Sequence, residues 1–285
     1  MIPKTEPQKR EWKLSWRSIE MRNRPLGFAL ALAIVLSMSP ALFAQSKKPT
    51  EAAASEKASF DPHDLSGVWM QDHPRLITVD ARYWVYKFTM EEPPMSEWGE
   101  KQFKAAKTSF GPHAYPLAET NDPVYHTCDP LGFPRIYLYP LPLQIVQTPT
   151  EVIMLFEYDS LRHHIFTDGR KHDESLGPLW MGDAIGHWEG DTFVADTTNF
   201  NDKTWLDRMG HPHSDALHVV ERIRRVDREH LVDDMTIDDP KAYTKLWTAH
   251  QIFALQPKWT IAESFCEDEQ SFESIDESGA APAKK

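Results

Sequence analysis

The sequence predicts an all-β fold, an antiparallel meander closing into a lipocalin-like barrel, and three observations carry that prediction. The first is the stretch from Trp180 to Phe200, W-M-G-D-A-I-G-H-W-E-G-D-T-F-V-A-D-T-T-N-F. Two short alternating runs, Ala184 to Trp188 and Thr192 to Thr197, flank a turn at Glu189-Gly190-Asp191. Glycine takes the positive φ such a turn requires, and Asp191 can hydrogen-bond the turn backbone. Further strand-length runs separated by turn residues lie on both sides of this hairpin. The third observation is Gly67-x-Trp69 at the start of a first strand, where glycine permits close chain approach and the indole can plug one barrel end.

The chain opens with a segment that does not belong to this fold. Arg22 and Arg24 precede an apolar run from Leu26 to Val35, and A-L-F-A follows. A basic stretch, an apolar run and a small residue before a cut after Ala44 make residues 1–44 a signal peptide, with Met21 as an alternative start. A retained anchor needs about 20 apolar residues, and Pro25, Ser37, Ser39 and Pro40 leave the run short. The expectation is export to the periplasm or beyond, with no stable membrane insertion after cleavage. Residues 45–60 lack periodicity and read as a flexible leader. A single barrel domain follows over 61–267, and the acidic then Ala/Lys-rich segment 268–285 reads as a disordered tail.

Within the domain, Tyr83 to Phe88 has strand character. Ser96 to Thr108 has helical spacing through Trp98, Phe103 and Ala106, so at most one or two short helices are expected. A Pro-rich irregular segment follows, cut by prolines from Pro112 to Pro142. It reads either as a lid or binding loop or as a wrap over one barrel end. Leu143 to Gln147, Val152 to Tyr158 and Leu161 to Phe166 form successive strands. Taking Asp159-Ser160 as a two-residue loop pairs Tyr158 with Leu161 and Glu157 with Arg162. Ile153, Leu155, Glu157, Arg162, His164 and Phe166 then share one face, and Met154, Phe156, Tyr158, Leu161, His163 and Ile165 the other. Leu217 to Val226, Leu231 to Ile237, Tyr243 to Leu255 and Trp259 to Phe265 complete the meander.

Charge and motifs remove several function classes. The chain has a formal net charge of −12, and residues beyond 44 hold 24 basic against 40 acidic side chains, near −16. Such a surface repels nucleic acid and anionic lipid. No Gly-rich phosphate loop, G-x-S-x-G elbow or C-x-x-C is present, so no cofactor is expected and nucleotide, serine-hydrolase and thioredoxin-like chemistry recede. Cys128 and Cys266 are the two cysteines. Export makes a disulfide between them one reading, and two unconnected thiols the other.

Several stretches together resemble an uncharacterised family of exported bacterial proteins. They are L-S-G-V-W (65–69), C-D-P-L-G-F-P-R (128–135), D-G-R-K-H (168–172), G-D-A-I-G-H-W-E-G-D-T (182–192), H-S-D-A-L-H-V-V-E-R (213–222) and T-I-D-D-P (236–240). The resemblance covers most of residues 61–266 and brings no established activity. The G-x-W start and the W-x-G-D hairpin are also loosely similar to lipocalin-like (calycin) barrels, a likeness of fold that does not license function.

Four constellations can carry chemistry. Glu157, Arg162 and His164 on one hairpin face can hold a ligand carboxylate and move protons, or form a structural ion pair near the barrel mouth. His211, His213 and His218 can offer three nitrogens to a metal, although the spacing matches no known signature and no metal is the leading expectation. Arg222 shares a strand face with His218 and Val220, opposite Val219, Glu221 and Ile223. It can meet an anionic ligand or pair with Asp196 or Glu157. Finally, Trp69, Trp180, Trp188, Trp205, Trp247 and Trp259 can fill the barrel or stack on a flat ligand. The leading expectation is therefore a barrel that binds a small, partly apolar, anionic molecule through Arg162, His164, Glu157 and Arg222, with Trp188 as a wall. The alternatives are an isomerase or hydrolase using His164 or His213 with Glu157 or Asp196, and a structural or interaction protein of the cell envelope.

Overall fold

Period-two alternation closes this chain into a barrel, because each strand buries every second side chain and the buried faces meet. The structure is a computed structural model that describes residues 60–72, 86–111, 113–173 and 175–266. The expected signal segment, the leader up to residue 59, the start of the strand expected at 83–88 and the tail from 267 lie outside the described residues. Nine strands form the closed barrel: β1 (Gly67–Gln71), β2 (Leu143–Gln147), β3 (Glu151–Phe156), β4 (Arg162–Phe166), β5 (Asp183–Glu189), β6 (Thr192–Thr198), β7 (His218–Arg225), β8 (His230–Asp238) and β9 (Trp247–Leu255). Neighbours pair in chain order, and β9 returns to β1 through Trp69↔Leu255 and Gln71↔Phe253.

The expected meander is present with one exception to its antiparallel pairing. β4 and β5 run parallel, through Ile165↔Ala184 and Phe166↔Ile185. A parallel neighbour requires the chain to cross back before the next strand, and the long 167–182 connection does so. Gly190 turns the central hairpin at φ +57, with Glu189 opposite Thr192. Gly67 is required at its position: at φ +146 it lies so close to β9 that a Cβ would meet Leu255 Cδ1 at 2.7 Å.

Two details of register differ from expectation. Leu155 pairs with Arg162 and Ile153 with His164, so Glu157 is not the cross-strand neighbour of Arg162. Asp159 and Ser160 both adopt positive φ in a loop wider than two residues. The shift is by an even number, so the two faces keep their membership. Trp259 to Phe265 forms no strand. That segment instead bridges Tyr158 through Ser264 and ends in the disulfide Cys128–Cys266, Cα atoms 5.7 Å apart. The barrel is already closed by β9 on β1, which leaves no edge for another strand.

The inward positions are filled. Val152, Met154 and Phe156 of β3, Phe193 and Ala195 of β6, Val219 and Ile223 of β7, and Leu231, Met235 and Ile237 of β8 are all buried. One side chain of the Pro-rich segment, Tyr137, reaches the barrel interior, where it meets Met154 and Glu221. The segment's helix α2 (Pro123–Thr127), N-capped by Asp122, leads to a single 3-10 turn, Arg135–Leu138. Tyr137 from that turn packs edge-on to Phe253 at 5.2 Å. Each large apolar side chain buried this way contributes about 1.5–3 kcal/mol. Helix α1 (Glu97–Ala105) is N-capped by Ser96, whose side chain accepts from Gly99 N–H, matching the helix expected over 96–108.

Candidate functional site

The interior holds an unexpected acidic pair. Glu221 on β7 faces Tyr137, whose hydroxyl donates to Oε1 at 2.8 Å, and Asp233 on β8 lies beside them. Both carboxyls are sealed, Glu221 0 % and Asp233 1 % exposed. With both ionised, Glu221 Oε2 and both Asp233 oxygens have no donor. A proton on either carboxyl removes a buried charge and gives a donor for the other. Burial, then mutual repulsion, pushes Glu221 well above the usual carboxylate range, and burial raises Asp233 to about 7. The space between Trp69, Tyr137, Met154, Asp233 and Phe253 is about 10 Å³. That is room for one water at most.

The expected ligand anchors do not line this interior. Met154, Phe156, His163 and Ile165 are buried, so their face of the β3–β4 hairpin points inward and the opposite face, with Arg162, points out. Arg162 is exposed. His164 meets Glu151 at 2.8 Å, and Glu157 accepts the Ala262 N–H at 2.9 Å. Arg222 donates to Glu189 at 2.8 Å on the outer surface. Trp188 keeps an inward register opposite Phe193 and packs on His63 at 4.5 Å, so it caps one end of the barrel. The expectation that Glu157, Arg162, His164 and Arg222 converge on one interior site is therefore corrected. Both hairpin faces carry apolar residues, and closure chose the one without the arginine.

The three imidazoles offered to a metal are likewise separated by their partners. His211 lies between Asp207 Oδ2 at 2.6 Å and Glu92 Oε2 at 2.7 Å. Burial opposes its charge, but the two carboxylates outweigh burial and raise it to about 9, while the same contact with His211 lowers Glu92 to about 2. His218 Nε2 meets Asp196 Oδ1 at 2.9 Å. Among the described residues no three His, Cys, Asp or Glu are placed to hold a metal ion. Asp196 is also met by His172 Nε2 at 3.2 Å, and His172 Nδ1 reaches Asp183 at 3.0 Å. This Asp183–His172–Asp196–His218 chain joins the D-G-R-K-H, G-D-A and H-S-D-A-L-H stretches on the outer barrel wall. Reading one hairpin at a time missed His172 and Asp183, because their partners are supplied by other strands.

His213 is in a different situation. It is 4 % exposed, and its Nδ1 lies 3.2 Å from the Ser214 carbonyl oxygen. A carbonyl only accepts, so Nδ1 carries the proton and Nε2 presents a lone pair. That Nε2 is buried and has no partner among the described residues. Burial holds the ring below its ordinary range, with the nearby Arg135 charge acting in the same direction. His213 lines a cleft of about 330 Å³ with Trp98, Gln102, Asp202, Lys203 and Trp205. The cleft lies between α1, the 121–123 segment and the 202–213 loop. Beneath it, Arg135 makes two bonds to Asp122, at 2.9 and 2.5 Å, and reaches Thr204 Oγ1 at 3.4 Å. Ser214 is fixed in turn by Asp239, through its N–H and its hydroxyl.

A larger hollow of about 510 Å³ lies on the outer wall and includes Phe88, Met90, Arg222, Asp234 and His250. Its charged groups are already paired, Arg222 with Glu189 and His250 with Asp234. The smaller cleft is the better candidate, because its lining includes His213, whose buried Nε2 has no partner among the described residues. Compared with protein-family models, curated proteins and solved structures, the chain matches none of them.

Proposed function

We propose that the protein binds a small molecule in the cleft lined by Trp98, Trp205 and His213, outside the barrel rather than within it. The observation that carries this reading is the unpartnered Nε2 of His213, a buried acceptor that a ligand donor would satisfy. Leaving such an atom unpaired costs about 1–3 kcal/mol, and a ligand that pairs it recovers that cost on binding. The filled interior supports placing the ligand outside. The disulfide supports an oxidising compartment, in keeping with the resemblance to exported proteins.

An acid–base enzyme on the same cleft is the second reading. It is favoured by the neutral imidazole with a free lone pair, the state a general base needs. Turnover of a bound molecule, lost on replacing His213, would distinguish it from simple binding.

The test of the binding reading is a small-molecule mixture screened by NMR on the full chain, with the indole N–H signals assigned. Binding in the cleft shifts Trp98 and Trp205 and leaves Trp69 unmoved. Shifts confined to Trp69 would overturn the cleft and return the ligand to the barrel interior. His213→Gln removes the ring, and Asp202→Asn changes the exposed rim without touching the core, so a folding failure in the first leaves the second to decide.

A further inference from the structure

We propose that the ligand class of this cleft is a neutral saccharide, an inference that rests on the cleft being the binding site. The first ground is the walls. Trp98 and Trp205 are half-buried rather than sealed, although indoles are usually well covered. Each already carries a cation over one face: Lys241 lies 4.9 Å from the Trp98 ring and Arg135 5.6 Å from the Trp205 ring. What remains of each indole for a ligand is its other face and its edge. A cationic ligand is disfavoured beside rings already used by cations. The C–H face of a pyranose suits an electron-rich indole.

The second ground is the balance of polar groups. Gln102 offers a donor and an acceptor, Lys203 donors, and Asp202 and His213 Nε2 acceptors. A carboxylate or phosphate would want several converging donors. Here the one cation among the described lining residues is Lys203, and its ammonium lies 5.8 Å from the Trp180 ring. This replaces the anionic ligand expected from the sequence. Hydroxyl groups both donate and accept, so a ring bearing several of them can meet all four kinds of partner. His213 Nε2 is sealed in the free protein, so a small shift of the ring on binding brings it to one hydroxyl, which donates to it while its own oxygen remains free to accept. The walls then hold the apolar ring face, and Gln102, Asp202 and Lys203 take the outer hydroxyls.

The experiment is titration of the full chain by calorimetry and tryptophan fluorescence. The probes are galactose, N-acetylglucosamine, maltose and cellobiose as neutral sugars, glucuronate as a charged one and benzoate as a flat anion. At least one neutral sugar should bind, and Trp205→Ala should weaken it by about tenfold, the scale of one lost aromatic contact. Trp259→Ala, at an indole that is 50 % exposed and lies outside the cleft, should leave affinity unchanged. Binding of glucuronate or benzoate with no neutral sugar bound would overturn the saccharide assignment while keeping the cleft. Failure of all six probes would overturn it as well. In that case shifts at Trp98 and Trp205 with other molecules would still decide whether the cleft binds anything.

Discussion

The Glu221–Asp233 pair inside the barrel and His213 beside the cleft are equally buried, yet they face opposite surroundings. Glu221 and Asp233 are eased from within: the Tyr137 hydroxyl donates to Glu221, protonation removes buried charge, and the adjoining space of about 10 Å³ admits no ligand. His213 is satisfied on one nitrogen only, and its ring is among the residues lining a cleft of about 330 Å³. Perturbed titration alone therefore does not mark a binding site in this molecule. A structural acid pair is perturbed, as is a candidate site. The size of the space that each residue lines, about 330 Å³ against about 10 Å³, separates the two.

The comparison is broken most severely from beneath the cleft. Arg135 and Asp122 are fully buried partners, and removing one strands the other charge. Asp122→Ala should cost about 3–5 kcal/mol of unfolding free energy, read by urea denaturation. A loss below about 1 kcal/mol, the scale of an exposed pair, would mean that the ion pair is open to water and the cleft floor is not rigid.

A smaller effect distinguishes the interior pair by pH. Asp233, raised to about 7 by burial, keeps in the folded state a proton that the unfolded chain releases near pH 4. Its contribution to stability is complete below about pH 4 and is lost as pH rises through 7. Asp233→Asn puts an amide donor opposite Glu221 Oε2, so Tm should fall less between pH 5 and pH 8. At pH 8 the variant should be more stable by about 1–3 kcal/mol. His211, raised to about 9 by Asp207 and Glu92 against burial, adds a separate decline. That contribution is complete below about pH 6.5 and lost through about 9, and it should survive in Asp233→Asn. Identical profiles for the variant and the parent chain between pH 5 and pH 7 would remove the buried proton from the account.

The smallest effect is expected on the outer wall. Arg162→Ala and Arg162→Lys should each change stability by less than about 0.5 kcal/mol and leave ligand affinity unaltered. A large loss of binding in either variant would relocate the site to the β3–β4 face and sink the contrast drawn above.

Much of the barrel could be read directly. The turn at Gly190, the strand at Leu143–Gln147 and the capped helix after Ser96 follow from local rules, since alternation and capping involve residues a few positions apart. The lone carboxylate of Glu221 on the apolar Val219/Ile223 face was also legible as an anomaly, although its partners were not. Asp233 reaches it from β8 and Tyr137 from a segment with no strand periodicity.

The sequence by itself located the strands that close the barrel, with one too many at 259–265, and the membership of each strand face, because side chains alternate at every residue and an even shift in register preserves the faces. Only the tertiary structure decided which face of the β3–β4 hairpin is interior, because both carry apolar residues and closure of β9 on β1 had to choose. It likewise decided where His213 stands. The cleft joins residues near 98–106, 121–123 and 202–213, and their proximity is set by how the loops pack at the barrel end, a long-range outcome that no local periodicity encodes.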